Sequence, residues 1–100
     1  MPNILTGSIT GSSPSQVSVG VASAQAVAFN SGRTGLVLTN ISTGTIYLAF
    51  GASAAVVGSG IVLTANGGTW AMDEYNFSKE IINAIAHQAL SGLALQEFIV

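Results

Sequence analysis

The sequence predicts an all-β protein, a small antiparallel β-sandwich or barrel with an extended N-terminal arm, and three observations carry that reading. From Gln16 onward, short apolar runs of strand length alternate with turn residues, the texture of a sandwich or barrel. Val17, Val19 and Val21 alternate with Ser18 and Gly20, the period of two that a half-buried strand shows. Asn66-Gly67 stands between two β-type runs, and both residue types accept the positive φ of a tight hairpin turn. One hundred residues make one domain, with residues 1–15 as the arm and residues 16–100 as the body.

The arm holds Gly7, Ser8, Gly11, Ser12, Ser13, Pro14 and Ser15, with only Ile4, Leu5 and Ile9 as apolar anchors. Such a composition cannot build a core. It is either a frayed terminus or a segment laid on a neighbouring subunit. In the second case Ile4, Leu5 and Ile9 fill shallow grooves, and pairing with a foreign sheet edge supplies the affinity.

In the body, the run through Val17, Val19 and Val21 continues to Ala26, Val27, Ala28 and Phe29, then stops at the turn Asn30-Ser31-Gly32. Leu36-Val37-Leu38-Thr39 is the second run, closed by Asn40-Ile41-Ser42-Thr43-Gly44, and Ile46-Tyr47-Leu48-Ala49-Phe50 is the third. The small residues from Gly51 to Gly60 connect to Ile61-Val62-Leu63-Thr64, which Asn66-Gly67 joins to Thr69-Trp70-Ala71-Met72 as a hairpin. Ile81 to Leu90 fits a helix face through Ile81, Ile82, Ile85 and Ala89, or a strand; the strand is the expectation. Ser91-Gly92 then turns into Leu93 to Val100 to close a last hairpin.

Charge is almost absent. Charged residues make up 6% of the chain against 49% hydrophobic, with none before Arg33 and none from Thr34 to Met72. An ordinary soluble domain carries about 25% charged residues. With so little ionic cover, the surplus Val, Ile, Leu and Ala are expected to be hidden against other subunits, so the chain is read as a homo-oligomer. No stretch approaches the ~20 apolar residues of a spanning helix, and the start has neither a basic region nor a long apolar segment, so no membrane or secretory role is expected. Two cations and a net charge of −2 make no footprint for nucleic acid. Zero cysteines and the single His87 leave no thiolate or multi-histidine metal site within one chain.

Chemistry-bearing motifs are fragments. Gly58-Ser59-Gly60 begins a dinucleotide fingerprint, but Leu63 replaces its third glycine and no helical pattern follows. Gly51-Ala52-Ser53-Ala54-Ala55 lacks the last glycine of a nucleophile elbow, although Ser53, His87 and Asp73 could formally compose a triad. Adjacent Asp73 and Glu74 point to opposite faces of a strand and cannot face each other as a glycosidase pair. With Lys79 and Glu80 they form one polar cluster, solvated or partner-facing. Arg33, the sole arginine, holds either the carboxylate of a neighbouring subunit or a local salt bridge. Trp70, Tyr47, Tyr75, Phe50 and Phe77 are read as strand packing, with a sugar-binding platform as the competing use. No enzyme activity, cofactor, metal or small-molecule substrate is expected.

Arg33-Thr34-Gly35-Leu36-Val37-Leu38-Thr39-Asn40, Ile46 to Gly51 and Gly60 to Gly68 together resemble small β-rich virion proteins of tailed bacteriophages, the capsid decoration or cement type. In these, an Arg-x-x-Leu pattern leads a strand ending in Asn, a Tyr-containing strand ends at Gly, and a hairpin with a Gly turn follows. The resemblance spans Arg33 to Glu97; Ala65-Asn66 stands where a proline commonly precedes the turn glycine. It implies a viral structural protein, a homotrimer on the phage head that is made in the host cytoplasm and stabilises the shell by bridging major capsid proteins. It supplies no catalytic residues. Ile4, Leu5, Ile9, Arg33 and Trp70 are the expected partner or oligomer contacts. A phage tail or fibre module that recognises a host surface glycan through Trp70, Tyr47 or Tyr75 is the alternative.

Overall fold

The computed structural model of the chain describes residues 11–72 and 77–99. Ile4, Leu5 and Ile9 lie outside the described residues, as do Asp73, Glu74 and Tyr75. The described residues form eight strands and no helix: β1 (Gly11–Val19), β2 (Ala24–Val27), β3 (Arg33–Asn40), β4 (Ile46–Phe50), β5 (Ile61–Leu63), β6 (Thr69–Ala71), β7 (Ile82–Ala86) and β8 (Ser91–Ile99). They make two four-stranded antiparallel sheets, β1-β8-β3-β6 and β2-β7-β4-β5, so the fold is all-β and a small sandwich.

The pairing has a simple order. β1 pairs with β8, β2 with β7, β3 with β6 and β4 with β5, as in one long antiparallel ribbon doubled at its middle. The additional pairs β3–β8 and β4–β7 wrap that ribbon into two layers. This is the connectivity of a jelly roll.

Period-two patterning decides what faces inward. Leu36 and Leu38 of β3, Leu93 of β8 and Val19 of β1 are buried on one sheet. Opposite them lie Ile46 and Leu48 of β4, Ile82, Ala84 and Ala86 of β7, Val27 and Leu63. Each buried aliphatic side chain removes apolar surface from water, worth about 1.5–3 kcal/mol for a Val, Leu or Ile.

The loops gather at two ends. At the first, Gly20 O accepts from Ala86 N, Ile41 N donates to Gly92 O, and Asn66 N donates to Ser42 O. At the second, Asn30 N donates to Lys79 O and Gly51 N to Ile81 O. The connections β1–β2, β3–β4, β5–β6 and β7–β8 form the first end, and all four cross from one sheet to the other.

Those crossings correct two expectations. Asn66 and Gly67 do take positive φ, 59° and 116°, but they join β5 of one sheet to β6 of the other, so the turn is an arch and not a hairpin. Ser91 and Gly92 are the first residues of β8, which lies in the opposite sheet from β7. An arch lets two consecutive apolar strands cover the core from both sides; a hairpin would place them on the same side. For the same reason the first run is two strands, β1 and β2, broken at residues 20–23 and placed in different sheets.

The domain boundary also moves. Residues 11–15, assigned by composition to the arm, are the first half of β1 and pair with Ile99 to Leu95 of β8. Composition weighs side chains, whereas this stretch is an edge strand held by its backbone ladder, which small residues make as well as large ones.

Candidate interaction site

β3 carries a buried polar residue at each end, and each organises one end of the sandwich. Strict alternation back from Leu36 would turn Arg33 outward. Instead Thr34 is an extra residue in the β3–β8 ladder, with Arg33 opposite Ile99 and Gly35 opposite Phe98. Such a bulge reverses the facing of what precedes it. Arg33 therefore points inward, has no exposed surface, and donates from Nε to Glu97 Oε2 at 2.6 Å. Its other nitrogens donate to the carbonyls of Ser78 at 2.9 Å, Glu80 at 3.1 Å and Ala28 at 2.7 Å. Asn30 Nδ2 completes the cluster on Glu97 Oε1 at 3.1 Å. Of the two pairings open for Arg33 in the sequence, the intramolecular one forms. The guanidinium is fully buried and each of its three nitrogens donates within the chain.

Asn40, also with no exposed surface, holds the first end. Its Nδ2 donates to Gly44 O at 2.7 Å and Leu63 O at 2.9 Å, while its Oδ1 accepts from Ser42 N at 2.9 Å and Ser42 Oγ at 2.7 Å. Every polar atom of the amide is used. By sequence Asn40 is only the start of a turn; Ser42, two residues on, is the signal for more, since it closes the ring of bonds.

These anchors leave the exterior nearly free of ions. Arg33 and Glu97 consume each other, and Lys79 and Glu80 lie at the second end beside the β2–β3 turn. No described strand projects a charged side chain outward. Tyr47 faces out from the β4 sheet between Val62 and Ile85. On the β1-β8-β3-β6 sheet, Phe98 leans over Gly35, where an added Cβ would come within 3.3 Å of its ring. A groove of about 290 Å³ lies on this sheet between Pro14, Val37, Thr39, Ala94, Gln96 and Phe98. The first end adds three aliphatic side chains in water, Val21 at 61%, Ile41 at 50% and Leu90 at 84% exposed.

Leu90 is unusual in a second way. Its φ is +58°, a left-handed conformation that bulky residues rarely adopt. The residue stands at the head of β8, two positions before Gly92, whose outward side is flanked by Ile41 and Gln16. Ile41 thus borders the outer face of the β1-β8-β3-β6 sheet at Gly92.

The remaining candidates do not converge. Trp70 lies across from Leu38 on the inner face and meets Phe50 edge-on, ring centres 5.1 Å apart. Because Trp70 points inward from one sheet and Tyr47 outward from the other, they make no common platform. Ser53 sits beside Asn83, whose Nδ2 donates to Ser53 O at 2.7 Å, while His87 follows the far end of β7. Four residues of strand separate them, about 13 Å, too far for a nucleophile and its base. Gly58 and Gly60 take φ of 85° and 80° in an exposed loop that leads into β5, not into a helix. Among the described residues no three His, Cys, Asp or Glu side chains group to hold a metal. Comparison with protein-family models, curated proteins and solved structures finds no match to this chain.

Proposed function

We propose that this protein is a viral structural subunit, a capsid cement or decoration protein that self-associates, as a homotrimer in the resemblance, and stabilises a phage head by bridging major capsid proteins. The observation that carries the reading is the lack of charge on the described outer faces of the two sheets and at the first loop end. Two sheet faces and one loop end present Val, Ile, Leu, Tyr and Phe to water with no ionic cover among the described residues.

The mechanism is mechanical. Arg33 and Asn40 lock the loops at the two ends, so the domain meets its neighbours as a rigid body. Weak apolar contacts, repeated over a symmetric lattice, add to a large avidity without one strong site. The jelly-roll connectivity is shared with many capsid domains, which is support by analogy of fold. Residues 1–10 supply the reach to an adjacent shell protein, with Ile4, Leu5 and Ile9 as anchors.

Electron microscopy of the native particle tests this. The expected result is regular density for the chain over the head in many copies; a location confined to the tail, or no place in a particle, overturns it.

A further inference from the structure

We propose that Asn66 is a site of spontaneous deamidation whose rate is set by the hydrogen bond from Gly67 N to Asn40 O. Asn66-Gly67 is the chain's one Asn-Gly pair. Glycine has no side chain to crowd its own nitrogen, so the Gly67 amide nitrogen can reach Cγ of the Asn66 side chain. A new bond from that nitrogen to Cγ closes a five-membered imide, while the bond from Cγ to the side-chain nitrogen breaks. The proton lost by Gly67 N leaves on the departing group, as ammonia. Water then adds to either imide carbonyl and opens the ring, which leaves aspartate or, with one more methylene in the backbone, isoaspartate.

Two observations bear on when this happens. Asn66 and Gly67 are both exposed, so water has access to the amide. The side-chain amides of Asn30, Asn40 and Asn83 are held by hydrogen bonds, whereas that of Asn66 makes none with a described residue. The attacking nitrogen, by contrast, is committed. Gly67 N donates to Asn40 O at 2.7 Å, and beside it Asn66 N donates to Ser42 O at 2.8 Å. Attack requires Gly67 N to give up that proton and leave that acceptor, so the arch between β5 and β6 must first open from the β3–β4 connection. Asn40 is itself fully buried and bonded through both ends of its side chain, so its carbonyl does not follow the arch outward. Conversion therefore draws on the opened arch, and its rate follows the opening equilibrium. The product carboxylate falls at the first end, whose described connections carry no Asp, Glu, Lys or Arg.

The test needs only the wild-type chain, incubated in mildly alkaline buffer with and without denaturant and followed by peptide mass mapping. In denaturant, Asn66 is expected to convert to aspartate and isoaspartate ahead of every other asparagine. In the folded chain the same conversion is expected about tenfold or more slower, because only the opened fraction reacts. Ser42→Ala removes a hydroxyl from the ring of bonds around Asn40 and is expected to speed conversion in the folded state. A denatured chain in which Asn66 converts no faster than the other asparagines overturns the site. Equal rates in the folded and denatured chains, or a folded Ser42→Ala chain that converts at the parent's rate, overturn its control by Asn40.

Discussion

Arg33 and Glu97 meet at 2.6 Å only because Thr34 is one residue too many for the ladder between β3 and β8. The bulge turns the guanidinium from the outer face to the inner one, where it also takes up carbonyls from the β2–β3 and β6–β7 connections. One side chain thus ties two loops and a strand at one end of the sandwich.

Replacing Arg33 should be severe. Arg33→Ala strands the Glu97 carboxylate and three carbonyls, and breaking a buried pair from one side costs about 3–5 kcal/mol. Arg33→Lys keeps the charge but loses the planar fork, so it should recover only part of that loss. Urea unfolding of both variants checks the order; a destabilisation of Arg33→Ala below about 1 kcal/mol would contradict the anchoring role.

At the other end of β3, Asn40→Asp changes two donor hydrogens into a carboxylate oxygen aimed at the carbonyls of Gly44 and Leu63. Each buried group left without a partner costs about 1–3 kcal/mol. Asn40→Asp should therefore destabilise more than Ser42→Ala, which removes one hydroxyl from the same ring. Equal melting temperatures for the two variants would sink the idea.

Two glycines offer a matched comparison. A Cβ on Gly68 would collide with the backbone N and O of Thr64, whereas one on Gly20 meets nothing within 4 Å. Gly68→Ala should lower stability by about 2 kcal/mol or more, because backbone cannot move aside as a side chain can. Gly20→Ala should stay within about 0.5 kcal/mol of the parent. Thermal unfolding reads both.

Truncation separates the arm from the strand. Removing residues 1–10 leaves β1 whole, and removing residues 1–15 strips the pairing of β8 from Leu95 to Ile99. The longer deletion should melt lower by about 4–8 °C for each 1 kcal/mol of lost pairing, on the scale of a domain this size. Identical melting curves for the two truncations would show that residues 11–15 add nothing to the fold.

Much of the fold was legible in the sequence. Ile46 to Phe50 reads as a strand with the bounds it has, Leu36 to Thr39 lies inside β3, and the all-β class follows from runs of strand length between turn residues. These features are local: a period of two and a turn residue are written in neighbouring positions and need no knowledge of distant ones. The near absence of charge, and with it an exterior that ions do not cover, was equally plain from composition.

Which strand lies beside which was decided by the tertiary structure. Asn66-Gly67 specifies a tight turn but cannot say whether the chain returns beside itself or arches over the core, because both begin with the same backbone angles. The same holds for the inward face of Arg33, set by a bulge against a strand more than sixty residues away, and for the strand in Gly11 to Ser15, which exists only because β8 pairs with it. Local patterning is a property of each segment, whereas pairing and burial come from minimising exposed apolar surface and unpaired backbone over the whole chain at once.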